Sequence, residues 1–361
     1  MPRVRALIVI AGFLALTGIA AAATATPTPT TIERTSAPVE ALAQDGGQLA
    51  WLAGDGNKCN TVHMSNGVTT SVLPQPPNGM TCHWDMSGGG EQLAIAAGAS
   101  AALWTLHQRG SDFVMTAQVG GEEVQVDRLA HQSNGTGWWL GGTTGKGTSL
   151  AYSSVDVEYV DPLACASGGS CKRKIAGGGI EVVAAGQKTP LPNSVPALDL
   201  AVSNGRIAYI PATTVTKKGA PASSSTAPVL VEDISSGAVI SEANPVGVPI
   251  AIGLSSHVLA VLSRGTSGAR SLRLTWYDPS TGQKLGEVAV SGDTAPELAV
   301  NDQVIVFRFV RKLRALVVAT GRVRSLGKTA PVHLGLSLDG NRLVCAENGR
   351  KSGRIRALSV A

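Results

Sequence analysis

Apolar residues recur along this chain in short bursts, many alternating with polar residues and most bounded by Gly, Asn, Asp or Ser. Alternation at every second position predicts half-buried strands, and the bursts are too short for packed helices. The stretch WYDPSTGQKLGEVAV, from Trp276 to Val290, reads as two strands about a turn at Gly282. The same arrangement returns in VHMSNGVTTSV at Gly67, VVAAGQKTPL at Gly186, VEDISSGAVI at Gly237 and VVATGRVRSL at Gly321, with a weaker relative, WTLHQRGSDFVM, at Gly110. Such turns need a residue tolerant of positive φ, which explains the recurring glycine.

A second hairpin precedes each of these. Its turns fall at Gly46 and Gly47, Gly89, Gly135, Gly205, Ser256, Asp302 and Gly340, which makes seven units. Four short strands per unit of roughly 40–50 residues is the period of a β-propeller blade, a module that cannot bury its faces alone. The pattern predicts an all-β chain: a seven-bladed β-propeller of four-stranded blades over residues 39–361. The last unit supplies three strands, ending in GRIRALSVA. Its outermost strand is expected from TTIERTSAP, Thr30 to Pro38, a closure that removes an open sheet edge.

LSLDGNRLVCAE (Leu336 to Glu347) and SGGGEQLAIAAG resemble the repeats of TolB-like and WD-repeat-like propellers, and YDPSTGQKLGEV resembles the repeat of quinoprotein-type propellers. The resemblance is at the level of the fold. It implies a ring of blades and, through the TolB-like proteins, the binding of other proteins, with no quinone or other cofactor expected.

Composition agrees with that class: 43% hydrophobic, 15% charged and 43 Gly residues exclude a disordered chain and argue against a helical one. At the N-terminus Arg3 and Arg5 precede the apolar run Ala6 to Ala20 and the small-residue stretch AAATA. Residues 1–25 are therefore expected to be a secretory signal peptide cleaved after Ala23 or Ala25, with 26–38 a linker and closing strand. An uncleaved anchor is the alternative, although the run falls short of the roughly 20 residues of a membrane span. No Cys stands near the cleavage point, so no lipid anchor is expected. Export to the cell envelope or beyond permits disulfides. Cys165 and Cys171 close a small loop in CASGGSC, Cys59 and Cys82 are candidates for a bridge between blades one and two, and Cys345 reads as a buried thiol.

Aligning the expected innermost strands gives a ring of Ala41, His83, Arg128, Asp199, Ala251, Glu297 and His333. Two residues on stand Ala43, Asp85, Ala130, Ala201, Gly253, Ala299 and Gly335, mostly small. Residues two apart share a strand face. The candidate ligand-binding set at the channel mouth is therefore His83, Asp85, Arg128, Asp199, Glu297 and His333. Such a set would hold a metal ion or a polar ligand. The alternative is a hydrated channel in which Arg128 neutralises the carboxylates. Two long insertions fall on the same face: Gly141 to Ile175 in blade three, and TVTKKGAPASSSTAP in blade four. Loops on a rigid scaffold are where binding usually sits. GGTTGKGTS lacks Ser or Thr after Lys146 and reads as loop punctuation rather than a phosphate loop.

Charge is uneven. From Val306 onward twelve Lys or Arg face only Asp339 and Glu347, a net of +10 against +5 for the whole chain. A basic edge would attract anionic partners. The expected partners are thus an extracellular or cell-envelope protein or an anionic polymer, with no nucleic acid, and the chain is expected to be a monomer. Two function classes stay open. One is a secreted protein- or ligand-binding scaffold without catalysis. The other is a propeller enzyme of glycosidase or lyase type, with Asp199 and Glu297 as acid and base.

Overall fold

The computed structural model describes residues 28–54, 60–73, 92–108, 110–166, 171–265, 271–291, 297–309, 312–328 and 332–360. These form seven four-stranded antiparallel sheets and one two-stranded hairpin. Blade one spans 39–72, blade two 93–130, blade three 137–190, blade four 197–243, blade five 248–291, blade six 297–328 and blade seven 332–359. The innermost strand of each blade neighbours the innermost strands of the blades on either side, and the ring closes from blade seven to blade one. The chain is a seven-bladed β-propeller.

Blades one and four to seven follow the alternation from which they were expected. In blade four, Ala197–Ser203 and Arg206–Pro211 meet at a two-residue turn in which Asn204 and Gly205 both have positive φ, 50° and 71°. That conformation gives the turn a twist matching the strands it joins, and Asn-Gly is its preferred sequence.

The core is a ring of seams, one per blade pair. Ala41, Leu52, Ile95 and Trp104 fill the seam between blades one and two, and Leu274, Trp276, Ile305 and Phe307 that between five and six. Equivalent apolar clusters occupy the other five seams. A buried Leu or Phe contributes about 1.5–3 kcal/mol, so stability is distributed around the circle rather than held in one centre.

The closure is the one expected. Thr30–Thr35 pairs antiparallel with Gly353–Ser359 as the fourth strand of blade seven, from Thr30 opposite Ala357 to Thr35 opposite Gly353. Where the chain passes from that strand into blade one, the buried Asn348 amide locks it. Its Oδ1 accepts from the Val39 N–H at 2.9 Å and its Nδ2 donates to the Val39 carbonyl at 2.7 Å. Backbone groups that would otherwise be orphaned are satisfied by one side chain.

Blades two and three correct the sequence reading. The innermost strand of blade two is Leu93–Ala96, and its hairpin turns through Ala97–Ala99 and Ser100, which adopts the left-handed conformation at φ 48°. The expected turn at Gly89 lies outside the described residues, as do Cys59, Cys82, His83 and Asp85. Gly110 turns between the second and third strands of blade two, not the third and fourth. Val124–Ala130, expected to begin blade three, is the outermost strand of blade two, so Arg128 stands on the rim. Blade three opens with Gly137–Lys146, and Gly135 lies in the connection between the blades. Much of the expected blade-three insertion is strand: residues up to Lys146, then Ser149–Tyr159, with Gly147 in the hairpin turn between them.

Candidate functional site: the central channel and the loop-bearing face

All seven innermost strands line a central channel of about 450 Å³. Asp199 and Glu297 line it, as do the small residues Ala43, Ala201, Gly253, Ala299 and Gly335. In blade seven the wall is made by Gly335–Leu338, past His333, whose backbone pairs with Glu347. Of the six candidate residues, the channel therefore brings together Asp199 and Glu297.

Both carboxylates join blades. Asp199 Oδ2 accepts from the Ile252 N–H of blade five at 2.9 Å, and Oδ1 from the Leu200 N–H at 2.9 Å. Burial pushes the Asp199 carboxyl up to about 6, and the two backbone bonds only partly offset it. Glu297 Oε1 accepts from the Gly335 N–H of blade seven at 3.1 Å, while Oε2 binds the Arg308 guanidinium, of which 1% is exposed.

The same device runs round the ring. Gln44 of blade one donates from Nε2 to the Ser337 and Arg342 carbonyls of blade seven at 2.5 and 2.7 Å. Asp45 Oδ2 accepts from the Ala97 N–H of blade two and the Gly147 N–H of blade three at 2.9 and 2.7 Å. Gln92 of blade two reaches the Gly141 carbonyl of blade three, and Thr144 Oγ1 accepts from the Val202 N–H of blade four. Inner-strand polar groups are spent on neighbouring backbones, as buried polar groups must be. Sequence reasoning missed Gln44, Asp45, Gln92 and Thr144; the available signal was a polar residue within or at the end of an apolar inner strand.

The loop-bearing face is different. The segment joining the second and third strands of blade three carries the short helix Pro162–Ala166 and the disulfide between Cys165 and Cys171. Blade four adds, at the same place, a two-stranded hairpin of Thr214–Val215 and Pro221–Ala222. The blade-three strands at the base of this segment pack against the blade-four hairpin. Trp139, Ile175 and Val215 lie against Val155, Val157 and Ala212. The Arg173 guanidinium sits 5.5 Å from the Tyr159 ring and donates to the Asn134 carbonyl in the connection before blade three. His131 stacks on Trp139 at 4.1 Å, and burial lowers its pKa. On top, Val160 is 56% and Leu163 83% exposed.

The basic edge is thinner than its sequence. Arg308 is paired internally, Arg354 and Arg356 both bind the buried Glu347, and Arg324 donates to the Val360 carbonyl. Lys312, Arg322, Arg350 and Lys351 remain exposed. Cys345 is buried, and burial pushes its thiol up to about 11, which makes it an inert packing group. Among the described residues no cluster of three or more His, Cys, Asp or Glu is arranged to hold a metal ion.

This geometry defines the class: a β-propeller with a blade-jointed channel and an elaborated face over blades two to four. No described protein family and no curated protein matches the chain in sequence. Among solved structures it is similar to the β-propeller domain of Cps50 (Swd1) from Myceliophteria thermophila, with 12% identity over 92% of this chain and 100% of that one and a TM-score of 0.53. It is similar to the computationally designed protein Ika8, with 13% identity over 91% and 98% and a TM-score of 0.53. KlHsv2, with a loop replaced by a Gly-Ser linker, aligns at 10% identity over 87% and 91% with a TM-score of 0.51. At these identities the likeness shows the fold alone, and at that level the expected propeller resemblance holds.

Proposed function

We propose that this chain is an exported binding scaffold that captures an extracellular or cell-envelope protein on the face built from the insertions of blades three and four. One observation carries the reading: the blade-three segment, closed on itself by the Cys165–Cys171 disulfide above strands that pack against the blade-four hairpin, is tipped by Val160 and Leu163, which lie open to solvent. Apolar side chains held out by a rigid support are what a partner's surface buries on docking. The disulfide agrees with export, and no helix among the described residues is long and apolar enough to cross a membrane. Asp199 and Glu297, the acid and base of the enzyme alternative, already have their oxygens occupied, which favours binding over catalysis.

The mature chain, residues 26–361, used as bait on the host's envelope and secreted fractions, should retain a partner. Replacing both Val160 and Leu163 by Asp should remove that partner without lowering the unfolding temperature. Retention of the partner by the double variant would refute this use of the face.

A further inference from the structure

A second cavity, of about 420 Å³, opens in the outer wall of the seam between blades two and three. Its lining joins residues far apart in the chain: Asp127 and Arg128 from the outermost strand of blade two, and Trp138, Glu181 and Lys188 from blade three, with Ser194 beyond. Trp138, paired with Asp156 in the strand next to it, is 41% exposed, while its neighbour Trp139 turns the other way into the support beneath the loops. Along the wall Gly179 carries no side chain, and a Cβ there would stand 3.3 Å from the Ser194 hydroxyl. The glycine keeps this side of the cavity open.

The polar groups are fixed in unequal states. Asp127 is held from three sides, by Tyr152 Oη at 2.7 Å, Lys188 Nζ at 2.5 Å and the Arg128 N–H at 2.8 Å. Burial pushes its carboxyl up, but these bonds outweigh it and keep it below the usual range. Glu181 is the opposite case: burial raises it, and its Oε2 is shielded from solvent without a partner among the described residues. A shielded carboxyl oxygen with no partner penalises the charged form, which is why Glu181 holds its proton more tightly than an exposed glutamate.

We infer that this cavity is a saccharide subsite, in which a sugar ring lies against Trp138 and its hydroxyls bond to the polar groups of the lining, among them Arg128, Glu181 and Lys188. The volume lies within the roughly 300–1,000 Å³ of small-molecule sites. An exposed indole in the lining offers the apolar surface on which a pyranose ring can lie. The lining sets Asp127 and Glu181 against Arg128 and Lys188, a balanced charge that suits a neutral polyhydroxyl ligand better than a phosphate. This inference is independent of the protein-docking face, from which it differs in location and ligand.

Calorimetric titration of the mature chain with maltotetraose, cellotetraose and tetra-N-acetylchitotetraose, each up to about 10 mM, tests it. At least one should bind saturably. Trp138→Ala and Glu181→Ala should each weaken that tetrasaccharide about tenfold or more, and Glu181→Gln should restore most of the affinity. Val160 and Leu163 substitutions should leave it unchanged. The inference is overturned if none of the three binds saturably, or if either alanine variant binds as the parent does.

Discussion

The junction of blades five and six and the junction of blades two and three are built from the same four-strand module and differ in what fills the space between the blades. The first junction is apolar: Leu274, Phe307, Leu316 and their neighbours close it. At the junction of two and three, an apolar inner cluster around Leu103, Leu150 and Tyr152 is flanked by cavities of about 420 and 370 Å³. That junction also holds Asp127, Glu181 and Lys188, with the disulfide-bearing segment above it. A ring needs all its seams for closure but not all of them filled to the rim. The lesson is that one four-strand module closes one seam with apolar side chains and leaves polar-lined cavities beside the core of another.

Breaking the apolar seam should have the largest effect. Phe307→Ala is expected to lower stability by about 3–5 kcal/mol, the usual cost of emptying a buried aromatic site. Val124→Ala, at the rim of the open seam, should cost no more than about 0.5 kcal/mol. Denaturant unfolding of the two variants side by side measures the contrast, and equal losses would erase the distinction between the regions. Asn348→Ala comes next. It leaves the Val39 N–H and C=O without their side-chain partner, and a cost of about 2–4 kcal/mol is expected at the ring closure. The same unfolding curves check it.

A smaller effect depends on pH. Because the folded Asp199 carboxyl titrates at about 6, above its unfolded value near 3.9, the folded state holds the proton more tightly. Its favourable contribution is present below the unfolded value and is lost as pH rises through about 6, amounting to about 2–3 kcal/mol between pH 4 and pH 8. Asp199→Asn should flatten that part of the stability profile. If thermal unfolding of parent and variant shows the same slope between pH 4 and pH 8, the carboxylate is not enclosed as described.

Much of the ring was legible in the sequence because its signals are local. Asn204-Gly205 and Gly282 announce their hairpins within a few residues, and the three-strand last unit implied the closing strand at Thr30–Thr35. Blade two hid its first hairpin because LAIAAGASAALW is an unbroken run of small and apolar residues, with Ser100 taking the left-handed position that a glycine would have advertised. The error then carried forward, placing Arg128 on an inner strand when it lies on an outer one. For Asp199 and Glu297 the channel position was readable but the role was not. Their backbone partners, Ile252 and Gly335, lie 53 and 38 residues further on, a separation that strand patterns do not encode. The cavity beside Trp138 was equally invisible, since Asp127 and Glu181 meet only once blade two abuts blade three.

That the channel carboxylates hold the ring together is best tested by amide hydrogen exchange, residue by residue, in the Asp199→Ala and Glu297→Ala variants. The account predicts a selective loss of protection at the Ile252 amide in the first and at the Gly335 amide in the second, with the other inner strands little changed. Unaltered protection at both amides would contradict it and return the two carboxylates to the pool of groups free to bind a ligand.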